Sequence, residues 1–258
     1  MSDRNSKSVE IINVSEVYDQ LQNVPESALK KESQKAPKKT KSTDEFNEIS
    51  DAVNENRLSR ACMDVSGDID YKHNLVFKLY PIAAAFKAFK NGSVIYTDTL
   101  LMKTAIIERI LEENEKENSN KLRGGFAYDK FLSKTILSIP TIVCAAEHPK
   151  AEEFAKKHNV STAMAGFMIL KDELQGSIVV IGKDDPSLLG ICRMAERGIL
   201  PYLLLSFSAG INTQMGSKEH LVNAKIRLPQ ISMSQTKGGV ETAAACLVEL
   251  MKIFEERM

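Results

Sequence analysis

The sequence predicts one α/β domain whose sheet is parallel, or mostly so, with helices on both faces. Three observations carry this. The runs SVIYTD at 93–98, TIVCAA at 141–146, SIVVIG at 177–182 and PYLLLSFSAG at 201–210 are apolar without alternation, as in strands buried on both sides. Stretches of helical period separate these runs, which gives each parallel crossover its helix. Proline and glycine mark the joints, as at Pro186 and Gly198 on either end of the helix expected over 186–198. Right-handed crossovers then gather the strand-to-helix loops at the carboxyl edge of the sheet, where such sheets bind ligands.

In chain order, residues 8–24 have apolar positions at helical spacing and predict a short amphipathic helix. Residues 26–45 are polar and Lys-rich, too poor in apolar surface to offset the entropy of ordering, so they predict a flexible linker. The chain thus divides into an N-terminal extension, 1–59, and an α/β domain, 60–258, with another helix over 45–60 leading in. Residues 76–92 read as a helix closed by Gly92. A strand at 93–98, a helix at 99–118, a strand at 141–146 and helices through AEEFAKKHN and over 161–175 come next. The strand at 177–182, helix at 186–198 and strand at 201–210 precede a helical turn in SKEHLVNA, a last strand in IRLPQISMS and a closing helix from Gly238.

Composition narrows the function. Lys+Arg and Asp+Glu both number 34 in 258 residues, so there is no excess of cations for nucleic acid. Trp is absent and aromatics are 6%, which leaves no stacking platform for bases. No apolar run approaches the ~20 residues that span a bilayer. The start MSDRNSKSVE lacks an apolar signal region, so the expected location is cytoplasmic. Cys62, Cys144, Cys192 and Cys246 form no C-x-x-C pair and read as small apolar core residues, without disulfide or metal.

Three loops have the chemistry to receive anions. Gly182-Lys183 precedes the helix at 186, Ser206 to Asn212 leads through Gly210 towards Ser217 and Lys218, and Lys237-Gly238-Gly239 opens the last helix. Glycine lets backbone N–H groups approach an anion, the helix dipole favours negative charge there, and a lysine adds a point charge. Any one such loop is usually a turn device, whereas three on one edge make a site for a ligand with several carboxylates or phosphates. There is no G-x-G-x-x-G and no Walker motif. Asp64, Asp68 and Asp70 surround Ser66 and Gly67, either as a self-bonded turn or as a substrate loop; the spacing lacks a calcium-loop glutamate. His148 follows the strand at 141–146, either as a surface residue at a helix start or as an acid–base group at the carboxyl edge.

Read in order, these segments resemble the precorrin-8X methylmutase family of cobalamin biosynthesis. The likeness runs from Gly67-Asp68 through Leu75-Val76-Phe77 and Ile95-Tyr96-Thr97-Asp98, with Cys144 and Pro149 beyond. It is most specific from Gly176-Ser177-Ile178-Val179-Val180-Ile181-Gly182, through Pro201 to Glu219, to Lys237-Gly238-Gly239. The resemblance implies a cytoplasmic homodimer that moves a methyl group from C-11 to C-12 of a polycarboxylate corrinoid, without cofactor, after a histidine protonates the macrocycle. It implies substrate contacts at Ser66, Asp68, Asp98, Lys183, Gly210, Ser217, Lys218, Lys237, Gly238 and Gly239. The histidine of the family's I-H-x-T-G-D motif is Asp64 here, and His148 stands where the family has an aspartate, so these two are the candidate acids. A family arginine near 162 is also absent, and residues 112–138 look inserted. The alternative is an altered relative that binds a tetrapyrrole or a protein without mutase activity.

Overall fold

The structure, a computed structural model, describes residues 41–123, 136–209, 227–233 and 237–258. Helix α1 (Lys41–Ser66) leads through the single turn α2 (Tyr71–Asn74) into strand β1 (Leu75–Lys78). Then come α3 (Pro81–Lys90), β2 (Ile95–Thr97), α4 (Leu100–Arg123), β3 (Ile142–Cys144), α5 (Ala151–His158), α6 (Thr162–Ile169) and β4 (Ile178–Ile181). The chain continues through α7 (Asp185–Glu196), β5 (Leu203–Ser206), β6 (Gln230–Met233) and α8 (Val240–Glu255).

The strands form one sheet in the order β1-β6-β5-β4-β2-β3. β2 through β6 are mutually parallel, and β1 alone runs antiparallel, pairing Leu75 with Met233 and Lys78 with Gln230. The period of two along each strand sends alternate side chains to opposite faces. Leu203 and Leu205 join Leu58, Ile106 and Leu247 in a core beneath α1, α3, α4 and α8. Leu204 joins Phe167, Val179 and Leu188 in a second core beneath α6 and α7. All four cysteines are buried thiols, and burial pushes Cys192 up to about 12, as expected of inert core residues.

Several elements differ from expectation. The helix expected over 76–92 begins only at Pro81, because Leu75–Lys78 is a strand. Apolar spacing in LVFKLY runs on into IAAAFKAF, so periodicity could not divide them. Pro81 does, since it restricts the residue before it and is tolerated only in a first helical turn. Leu79 and Tyr80, both in left-handed backbone (φ 58° and 54°), make the reversal. Residues 41–45, expected within the linker, are already helical. Helix α1 also runs across the expected boundary at residue 60: Leu58 and Cys62 are fully buried against the main core. Arg57 reaches across to Glu249 of α8 and to Glu256, the residue that caps its end, at 2.6 Å each.

The helix expected over 161–175 stops at Ile169 and passes into a short 3-10 turn, Lys171–Glu173. Residues 112–123 of the apparent insertion simply prolong α4. Asn114 then pins the returning chain, its side chain accepting from Leu137 N at 2.8 Å and donating to Leu137 O at 3.0 Å. The expected helix at 8–24, the middle of the insertion and the turn in SKEHLVNA lie outside the described residues. So do the candidate contacts Gly210, Ser217 and Lys218.

Candidate active site

Five parallel strands bring the ends of β2, β3, β4, β5 and β6 to one edge, and antiparallel β1 begins at that edge. The loop between α1 and β1 therefore meets the start of α8 there. Helix α1 ends on itself: Ser66 Oγ donates to Cys62 O at 2.8 Å, Gly67 N donates to Met63 O at 2.8 Å, and Gly67 is left-handed at φ 67°. Asp68 N then donates to Ser66 Oγ at 3.2 Å, and Asp70 N to Asp68 Oδ1 at 2.9 Å. This is the self-bonded turn, and Ser66 serves it.

The same turn holds a cation. Lys237 Nζ donates to Asp68 Oδ2 at 2.6 Å and also to the Asp70 carboxylate. Those hydrogen bonds lower the Asp68 carboxyl and raise the Lys237 ammonium from their ordinary values. Lys237 and Asp68 are thus together at the edge, but the lysine meets protein carboxylates. The following glycines are structural. Gly239 N donates to Phe207 O at 2.7 Å, and a Cβ on Gly238 would lie 1.9 Å from that same oxygen.

The loop after β4 differs from its expected role as an anion receiver. Its N–H groups do converge on a carboxylate oxygen, but that oxygen is Oδ2 of Asp98, at the end of β2. Gly182, Lys183 and Asp184 donate to it at 3.2, 2.7 and 2.8 Å. Asp98 is fully buried. Burial raises its carboxyl, against three N–H bonds that favour the charged form. Asp184 in turn caps α7 through Ser187 N at 2.9 Å and accepts from Ser161 Oγ at 2.8 Å, the cap of α6. Asp185 accepts from Ser208 Oγ at 2.9 Å. The expected contact Lys183 is exposed.

Asp64 lies not in a loop but on the last turns of α1. It is exposed towards a trough of about 720 Å³ between α1 and α4 that also reaches Glu249 and Lys252 of α8. Arg57, Arg60, Arg109, Lys116 and Lys252 line it against Asp64, Glu113 and Glu249; Arg57 pairs with Glu249 and Glu256, Arg109 with Glu112 and Glu113, Lys116 with Glu113, and Lys252 with Glu113 and Glu249. Its volume falls in the ~300–1,000 Å³ range of ligand pockets. Sequence reading missed these cations, because a charged helix face reads as solvated. The signal was there in Arg57, Arg60 and Asp64 at intervals of three and four, which place them on one face.

His148 stands elsewhere. It follows a 3-10 turn after β3, accepts from Lys150 N through Nδ1 at 3.3 Å, and lines a separate cavity of about 690 Å³ with Glu147, Glu152, Lys156 and Thr162. β3 is four strands from β6, so roughly 20 Å of sheet separates His148 from the loop beyond Asp64. The two candidate acids do not share a site within one chain.

Comparison with known proteins agrees with this architecture. The family model described as CbiC, precorrin-8X methylmutase, matches residues 32–123 and 132–253. A cobalt-precorrin-8 methylmutase of Methanocaldococcus jannaschii is 28% identical over 183 residues, 70% of this chain and 71% of that protein. A crystal structure of precorrin-8X methylmutase from Thermus thermophilus shares the fold at a TM-score of 0.60 and 21% identity, over 83% of this chain and 98% of that one. A precorrin-8X methylmutase related protein does so at 0.58 and 18%, over 76% and 90%. No described helix is long and apolar enough to cross a membrane.

Proposed function

The chain belongs to the precorrin-8X methylmutase family, isomerases of cobalamin biosynthesis, and from that premise we propose that it moves a methyl group from C-11 to C-12 of precorrin-8X or its cobalt form. The observation that carries this reading is the placement of Asp64. It occupies the position of the family's histidine and opens onto a trough with five cations, suited to a macrocycle ringed with carboxylates. Asp64 lies four residues before Asp68, whose partner is Lys237, across the end of α1, so a ligand there is within reach of both.

In this reading the bound macrocycle covers Asp64 and excludes water from its carboxyl, which favours the neutral acid; Asp64 then lends that proton to the ring, the methyl group migrates, and the proton returns, so that the reaction is a net isomerisation. The cations of the trough, with Lys237, orient the ring by exchanging part of their pairing with protein carboxylates for the ligand's peripheral ones. The acid role goes to Asp64 rather than His148, because Asp64 opens onto the cation-lined trough whereas His148 lines a separate cavity. We assign the active form to a cytoplasmic homodimer. Ile69, Leu100 and Leu101, 67%, 52% and 57% exposed near the carboxyl edge, supply apolar surface for a second copy.

The test is incubation with precorrin-8X, following the absorbance change to the corrinoid product. Conversion that is lost in Asp64→Asn and kept in His148→Ala supports the assignment. The reverse pattern transfers the acid role to His148. Tight product binding without conversion in the parent protein supports the altered relative, a tetrapyrrole binder in which loss of the histidine ended catalysis.

A further inference from the structure

The buried carboxylate of Asp98 has no place in the chemistry above, yet it makes the densest set of polar contacts at the carboxyl edge. Its Oδ2 accepts three consecutive backbone N–H groups, from Gly182, Lys183 and Asp184. Its Oδ1 accepts from Thr99 Oγ1 at 3.3 Å. Three successive N–H groups on one oxygen form a nest, the arrangement by which loops bind phosphates and carboxylates. Here an internal anion fills it.

The nest faces inward because of Gly182. A Cβ there would lie 2.6 Å from Met102 Sδ and 3.3 Å from Val240 Cα, so the chain turns tightly between α4 and α8. Beyond the turn, Asp184 fastens the loop to Ser161 and Ser187, and Asp185 fastens it to Ser208. One carboxylate thus organises the loops after β2 and β4 and, through its neighbours, those before α6 and after β5. Only the Lys183 side chain, exposed beyond the turn, is left for an outside anion.

We propose that Asp98 is a positioning residue: it fills the backbone nest from inside the protein, so that this loop meets a polycarboxylate ligand through the Lys183 ammonium rather than through its N–H groups. The inference rests on the corrinoid reading for the ligand but not for the clamp. A free nest would compete for any carboxylate. A filled one repels it, and selection falls on a point charge at a fixed place.

The experiment has two readouts on the full chain. Hydrogen exchange at the amides of residues 182–184 should quicken by about tenfold or more in Asp98→Asn, since bonds to a charged acceptor become bonds to a neutral one. It should be unchanged in Lys183→Ala. In turnover of precorrin-8X, Lys183→Ala and Asp98→Asn should each raise KM several-fold while leaving kcat near the parent value. The double variant should be no worse than Asp98→Asn, because a misplaced lysine has nothing further to lose. Multiplying effects, or a fall in kcat with KM unchanged, would overturn the proposal. Should Asp98→Asn fail to fold, Lys183→Ala and Lys183→Glu decide, and an unchanged KM in both rejects it. If the parent protein converts nothing, the methylmutase reading fails on its own. The same comparisons are then made on the Kd of hydrogenobyrinate, the corrinoid product of that methyl migration, with exchange at 182–184 as the independent measure of the clamp.

Discussion

Replacing Gly166 by alanine sets two opposed effects against each other, and the geometry says which wins. Gly166 lies inside α6, where alanine would gain about 1 kcal/mol of helix propensity. But α6 rests directly on the turn after β3: a Cβ at 166 would lie 1.8 Å from Ala145 O and 2.4 Å from Ala145 C. An ordinary contact is about 3.5 Å, so helix and turn must part by more than about 1 Å. The obstacle is backbone, and that carbonyl already accepts the N–H of His148 at 3.1 Å. Overpacking of this kind costs about 3 kcal/mol or more when no side chain can swing away. The net effect is a loss of about 2 kcal/mol, a fall in Tm of roughly 4–8 °C for a chain of this size. Gly190 is the control. Within α7 its added Cβ would meet only the flexible Met164 side chain, at 3.5 Å. Gly190→Ala should therefore be neutral or stabilising by up to about 1 kcal/mol. Paired thermal and urea denaturation decides it. If Gly166→Ala equals or exceeds the parent in stability, the packing argument is refuted. Its kcat well below Tm should stay near the parent value if His148 is outside the site.

Further outcomes follow from other contacts. Glu113 accepts from Lys252 and Lys116, at 2.9 Å each; burial raises its carboxyl from the ordinary 4.5, but the two ammonium groups more than offset this and bring it to about 2. A depressed native value means stabilisation present above about pH 4.5 and lost as pH falls through about 2. The Tm gap between the parent and Glu113→Gln should close over that interval, and a gap independent of pH would reject the pairing. Asp68→Asn with Asp70→Asn should lower KM for a polycarboxylate by releasing Lys237, while Lys237→Ala raises it; a rise in both would instead make the aspartates ligands. Leu58→Ala should cost about 3 kcal/mol in urea unfolding, and a chain beginning at residue 60 should lose cooperative unfolding. Full stability in that truncation would return the domain boundary to 60.

Much of the fold was legible because parallel strands announce themselves. IVVI at 178–181 and the run at 203–206 are apolar throughout, and every central strand expected from such a run is present. β1 was hidden because its LVFK joins the next helix in one apolar rhythm, and its pairing partner lies more than 150 residues away. The site was legible as chemistry but not as geometry. Gly182 and Lys183 do form an anion nest, yet nothing local reveals that its occupant is Asp98, 84 to 86 residues earlier. The trough was invisible for a similar reason. Its cations come from three helices, each of which alone reads as an ordinary charged face.

The seam between α1 and α8 has a consequence for biosynthesis. Arg57 and Glu249 are 192 residues apart, and Cys62 Sγ donates to Thr242 O across 180. At translation rates of 5–20 residues per second, α1 waits roughly 10–40 s for the helix that covers it. For that interval Leu58 and its apolar neighbours lack the helix that completes their cover, while β2 to β5 can already pair behind them. The first of the described helices to be made is thus among the last of them to dock.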